Sequence, residues 1–164
     1  MLQKKLENIL NEQVAKESYA SQLYLSMASW VETKGYAGIS EWFYAQAEEE
    51  RMHMLKIVRF INERGGHAVV PALEQPPKDF KGVKMIFEAA LEHEQMVTDS
   101  INNIVAMSLE AKDYGTHNWI QWFVQEQMEE ESSVQAIIDK LNMMSENQLY
   151  MFDRDIMSMR GTAG

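Results

Sequence analysis

A glutamate and a histidine three residues apart are the first signs of chemistry in this chain. Glu50-Arg51-Met52-His53 puts a carboxylate and an imidazole one turn apart on the same face of a helix. Gln127-Met128-Glu129-Glu130 repeats that spacing with an amide and a carboxylate, and Glu17 and Glu94 stand alone in two other segments. All of them interrupt apolar repeats. Leu6, Leu10, Gln13, Glu17, Ala20, Tyr24, Met27 and Val31 form one inward register. Ile39, Phe43, Gln46, Glu50, His53, Ile57 and Phe60 form a second. The third is Val83, Phe87, Ala90, Glu94, Val97, Ile101 and Ile104, and the fourth is Ile120, Phe123, Gln127, Glu130, Val134, Ile137 and Leu141. A buried unpaired carboxylate costs several kcal/mol even after relaxation. Four that converge repel one another and cannot all stay ionised. Protonation relieves one or two; a bound multivalent cation relieves all of them at once. Oxygen ligands with one imidazole suit iron or manganese and also accept zinc.

The elements that must carry these residues follow from where glycine and proline fall. Gly35 and Gly38 form one mark, Gly65, Gly66, Pro71, Pro76, Pro77 and Gly82 a second, and Gly115 a third. The stretches between are rich in Leu, Ala, Glu, Gln, Met and Lys, which favour helix. Four long helices are expected over about 5–33, 39–64, 83–112 and 116–142, and a short fifth over about 146–158 with Ser145 as N-cap. Steps alternating between three and four residues are the seam of a left-handed bundle. Short connections make helices one and two, and three and four, antiparallel hairpins. The connection between helices two and three is about 18 residues long and holds all three prolines. Extended, it spans roughly 60 Å, enough to run back along a 26-residue helix of about 39 Å. It is read as a crossover that makes helices two and three parallel. The expected fold class is therefore all-α: one domain over residues 1–164, a four-helix bundle with a single long crossover and a short fifth helix.

Composition removes other classes. The chain has 164 residues, 15 Lys and Arg against 25 Asp and Glu, and a net charge of −10. Nucleic-acid binding rests on cations that neutralise phosphates, so no nucleic-acid partner is expected. With no cysteine, disulfides, zinc fingers and thiolate iron–sulfur sites are excluded. The first residues lack the apolar stretch of a signal peptide, and no run approaches the ~20 apolar residues of a membrane span. A cytoplasmic protein without a membrane partner is the expectation.

Glu17, Tyr24, Glu50, His53, Glu94, Gln127 and Glu130, with the run Gln121-Trp122-Phe123-Val124-Gln125-Glu126-Gln127, resemble a prokaryotic non-haem ferritin over essentially the whole chain. The resemblance implies an iron-storage protein and ferroxidase. Such a protein oxidises Fe(II) with dioxygen at a dinuclear carboxylate centre and keeps Fe(III) as a hydrated oxide inside a homo-oligomeric cage of 24 subunits. Hydrogen peroxide is a second oxidant the resemblance allows. By position, Glu17, Glu50 and His53 match the first iron site, with Glu50 also bridging. Glu94 and Glu130 match the second, with Gln127 beside it. Glu49, Glu126 and Glu129 match a third iron site that shares Glu130, and Tyr24 matches a tyrosine adjacent to the pair. The fourth helix departs from the general di-iron plan, because Gln127 and Glu130 stand where a Glu-x-x-His is usual.

Plainer readings set the bounds. By residue type Tyr24 is a core tyrosine, and electron donation is an added role. His67 and His117 are expected in solvent, and His93 is expected to point away from the centre. Glu126, Glu129 and Glu49 each precede an inward position, about 100° round the helix, and can equally be solvated acids. Bacterioferritins ligate haem through a methionine directly after the second-helix glutamate; here that residue is Arg51, so no haem is expected. Most of the 13 methionines then read as core filler. A rubrerythrin-like peroxidase would bring a second Glu-x-x-His and a cysteine-rich segment, neither of which is present. A non-enzymatic helical bundle leaves the buried acids unexplained. Gly115-Thr116-His117-Asn118-Trp119-Ile120, where an acidic entry funnel sits in animal ferritins, has no carboxylate.

Overall fold

The computed structural model describes residues 1–160. The last four residues of the single unit expected over 1–164 lie outside the described residues. Four long helices, α1 (Lys4–Thr33), α2 (Ala37–Glu63), α3 (Val83–Glu110) and α4 (Tyr114–Met143), lie within two residues of the expected bounds. The described residues contain no strand, and none of their helices is long and apolar enough to cross a membrane.

Two apolar clusters reveal the topology. One joins Leu6, Leu10 and Val14 of α1 to Ile57 and Ile61 of α2, Ile101 and Ile104 of α3, and Ile120 and Phe123 of α4. The other joins Met27 and Val31 to Ile39 and Phe43, Ile86 and Phe87, and Val134 and Ile137. The start of α2 thus lies beside the start of α3 and the end of α1. Helices α2 and α3 are parallel, and each hairpin is antiparallel, as the one-crossover bundle requires. The crossover follows α1 along the way. Asn11 donates from Nδ2 to the His67 carbonyl at 3.0 Å and accepts from the Val69 N–H at 2.7 Å. Further on, Phe80 meets the edge of Trp30 with centroids 5.8 Å apart. Where the crossover begins, Arg64 pairs with Asp113 at 3.0 Å, and Asp113 caps α4 by accepting from the Thr116 N–H, also at 3.0 Å.

The fifth helix differs from expectation. In place of one helix over 146–158 there is a single 3₁₀ turn (Glu146–Gln148), a seven-residue helix α5 (Leu149–Asp155) and a second 3₁₀ turn (Ile156–Met159). Ser145 stands before the first turn, and its N–H donates to Gln148 Oε1 at 2.9 Å. A helix this short is marginal alone. Packing of its one buried residue, Phe152, and of Ile156 in the turn that follows sets the shape of this segment. Gly38 permits the close approach: a Cβ there would lie 1.8 Å from the Asp153 carbonyl oxygen. The Ile39 N–H donates to Asp153 Oδ1 at 2.9 Å and fixes the contact.

Candidate metal centre

Between the two apolar clusters lies a polar layer. Glu17, Glu50, His53, Glu94, Gln127 and Glu130 are each between 0 and 7 % exposed. Their helices meet at mid-length, so the interruption of each apolar register falls at the same level of the bundle. Glu17, Glu50 and His53 offer ligand atoms all within 4.8 Å of one another, and so do Glu50, Glu94 and Glu130. Glu50 belongs to both groups, which is the geometry of two adjacent metals joined by one carboxylate. Metal–oxygen bonds of about 2.1 Å in an octahedral shell set ligand atoms roughly 3–4.2 Å apart, so both groups need little contraction to close on an ion.

Three of the four buried unpartnered side-chain atoms among the described residues point the same way, the fourth being His93 Nε2. Glu17 Oε2, Glu50 Oε1 and His53 Nδ1 are buried without a hydrogen-bond partner. His53 Nδ1 lies 3.5 Å from Glu50 Oε2 and 3.9 Å from Glu17 Oε2. Such orphaned groups are costly and rare in a folded protein. Among the described residues no lysine or arginine pairs with Glu17, Glu50, Glu94 or Glu130; the close Lys and Arg ion pairs involve other acids. Burial, and then the charges of Glu94 and Glu17, push the Glu50 carboxyl well above the ordinary carboxylate range. Burial, and then Glu94, does the same to Glu130. Burial raises Glu94 to about 7, against the hydrogen bonds it receives from Tyr24 and Gln127. A multivalent cation at each group reverses these penalties.

Neighbouring side chains hold these acids. Gln13 donates to Glu17 Oε1 at 2.8 Å, which leaves Oε2 for a metal. Gln13 is itself held by Ser100, whose hydroxyl donates to Gln13 Oε1 at 2.6 Å. Gln46 donates to Glu130 Oε2 at 2.6 Å. Gln127 turns its amide NH₂ toward Glu94, 3.1 Å from Oε2 and 3.2 Å from the backbone carbonyl. The buried Tyr24 hydroxyl donates to Glu94 Oε1. Burial, and then the Glu94 charge, raise Tyr24 well above its ordinary value, so it stays a donor. Gln13 and Gln46 were visible in the inward registers, four residues before Glu17 and Glu50, but nothing in their type marked them as supports. Ser100 had no signal.

The acids beyond the pair are arranged less uniformly. Glu126 Oε1 lies 3.9 Å from His53 Nε2, and His53, Glu126 and Glu130 form a third group with ligand atoms within 4.8 Å. Glu49 is instead ion-paired to Arg160. Glu129 is exposed and accepts from Gln125 Nε2 at 3.3 Å. A cleft of about 500 Å³ opens beside this group, lined by His53, Glu126, Trp122, Trp119 and Lys56. His67 is exposed, as expected. His117 is half-buried with Nδ1 3.5 Å from the Ser108 hydroxyl, not free in solvent, because Ser108 ends the facing helix. His93 joins none of the metal-competent groups; its ring packs 6.0 Å from Tyr19 and 6.3 Å from Tyr24. Arg51 and Met52 are exposed.

Comparison with known proteins gives this geometry its lineage. The family model of the Ferritin-like domain matches residues 7–144. A bacterial non-heme ferritin from Campylobacter jejuni is 42% identical over 158 residues, which cover 95% of each chain. A probable bacterial non-heme ferritin-like protein from Haemophilus influenzae is 39% identical over 95% of this chain and 96% of its own. An open-pore ferritin from the hyperthermophilic archaeon Archaeoglobus fulgidus superposes with a TM-score of 0.94 at 39% identity, over 98% of this chain and all of that one. With its one-crossover bundle, its polar layer and this full-length similarity, the chain belongs to the bacterial non-heme ferritin family.

Proposed function

We propose that this protein stores iron and oxidises it on entry: Fe(II) binds as substrate in pairs at the buried carboxylate centre, dioxygen takes the electrons, and Fe(III) passes into a cage as hydrated oxide. The carrying observation is the shared position of Glu50 in two metal-competent groups, Glu17–Glu50–His53 and Glu50–Glu94–Glu130. Hard carboxylate oxygens favour Fe(III) over Fe(II), and paired ions about 3.5–4 Å apart act jointly on one bridging group. Two Fe(II) supply two electrons, which with two protons reduce one dioxygen to hydrogen peroxide. Glu17, Glu50 and His53 hold the first iron; Glu50, Glu94 and Glu130 hold the second. Gln127 and Tyr24 orient Glu94. The neutral amide at position 127, where the general di-iron plan has a glutamate, leaves the second iron more weakly held and helps it leave. Glu126, with Glu49, Glu129 and Glu130, forms a third, weaker iron site at the rim of the pair. The chain works as one unit in the cytoplasm, in a 24-subunit homo-oligomer whose hollow interior holds the mineral.

Aerobic Fe(II) titration with light scattering tests this reading. The expected result is a particle of about 456 kDa, 24 copies of 19.0 kDa. Oxidation should be fast up to two Fe(II) per subunit, and iron added later should stay with the protein through gel filtration. A monomer that returns all its iron to solution would refute storage. Turnover that requires added peroxide would favour a peroxidase.

A further inference from the structure

Arg160 is the one lysine or arginine among the described residues that ion-pairs with an acid around the metal centre, although Lys56 lines the neighbouring cleft. The Arg160 guanidinium pairs with Glu49 and also donates to Gln46 Oε1 at 3.2 Å and to the Trp42 carbonyl at 3.3 Å. It lies 5.8 Å from the Trp42 ring. Both partners of the ion pair are largely shielded, with side chains 17 % and 22 % exposed. The turn that delivers Arg160 is anchored by buried Ile156 and Phe152 and by the Gly38–Asp153 contact. A planar guanidinium with three separate acceptors is a fixed fork, unlike a mobile surface arginine.

We propose that Arg160 is a resident counter-cation of the third site, competing with iron for Glu49, so that the C-terminal turn sets how readily that site fills. The proposal rests on the reading of Glu49, Glu126, Glu129 and Glu130 as that site. With the guanidinium in place, Glu49 belongs to none of the metal-competent groups, whereas Glu126 and Glu130 do. A second cation a few ångströms away is disfavoured while the guanidinium stays. The same arginine reaches the pair through one amide. Because Gln46 Oε1 accepts from Arg160, its NH₂ is turned to donate to Glu130 Oε2. The turn therefore restrains both an acid of the third site and a ligand of the second. A metal that fills the third site displaces Arg160 and frees the turn.

Zinc(II), which is redox-silent, is the probe. It is titrated calorimetrically into the metal-free assembled protein as wild type, Arg160→Gln, Arg160→Lys and Glu49→Gln. The expected result is two tight equivalents in wild type and Arg160→Gln, with the third about fivefold or more tighter in Arg160→Gln. Arg160→Lys should keep the third equivalent weak, and Glu49→Gln should lose it. Hydrogen exchange supplies a second readout: amides of residues 156–160 should exchange faster when wild type takes up its third zinc, and not in Glu49→Gln. If Glu49→Gln loses the third equivalent while Arg160→Gln binds it with wild-type affinity, the competition is overturned and the third site stands. If Glu49→Gln binds the third zinc as wild type does, the third-site reading itself fails, and the proposal with it.

Discussion

Tyr24 shows how much at the residue scale depends on a single hydrogen bond. Its hydroxyl is buried and aimed at Glu94, a carboxyl whose burial already holds it near 7. Tyr24→Phe leaves that oxygen without its donor. The metal-free protein should lose about 1–3 kcal/mol of stability, measured by urea unfolding. Affinity for the second zinc should fall roughly tenfold, with the first unchanged. The raised carboxyls also fix a pH dependence. Their folded pKa values lie above those of the unfolded chain, so their contribution to stability is complete below about pH 4.5 and is lost as pH rises through the folded value. For Glu94 that loss runs up through about 7. The melting temperature of the metal-free protein should therefore fall between about pH 5 and pH 8, with a smaller fall in Glu94→Gln. Metal loading near pH 6 should release protons, read calorimetrically in two buffers of different ionisation enthalpy. The buried acids of the polar layer were legible in the sequence because acids in an apolar register have few other reasons to be there. Gln13, Gln46 and Ser100 were not, because an amide or hydroxyl on an inward face carries no mark of what it will bond.

Elements position these residues, and Gly38 shows how narrowly. The Asp153 carbonyl oxygen occupies the space that a side chain at residue 38 would need. Because the obstacle is backbone, it cannot swing aside, and Gly38→Ala has to displace α5. The expected cost is about 1–3 kcal/mol in urea unfolding, with faster protease cleavage in residues 145–160. The long helices were readable to within two residues because glycine, proline and apolar periodicity agree along them. The fifth helix was not, since its interior carries no breaker. Only two of its residues are buried, and packing against α2 bends the backbone into 3₁₀ turns at both ends. The contact from Arg160 to Glu49 depends on that bend and could not be read from residues 111 positions apart.

In the whole molecule, the buried polar layer lies between two apolar clusters that would otherwise be one core. The crossover is what brings four helices together with their acids at one level. Folding and ligation are therefore coupled, and metal should stabilise the chain well beyond its apo state. Glu50 is central to that coupling, because it offers an atom to both candidate groups, and burial with the charges of Glu94 and Glu17 pushes its carboxyl well above the ordinary range. Replacing it separates assembly from chemistry, since the apolar clusters that build the bundle remain intact. The direct measurement is stopped-flow oxidation at two Fe(II) per subunit, on assembled wild type and assembled Glu50→Ala side by side. The account predicts that Glu50→Ala forms the same particle, unfolds no more easily without metal, and oxidises Fe(II) at least roughly 100-fold more slowly. Oxidation at the wild-type rate by an intact Glu50→Ala particle would contradict it.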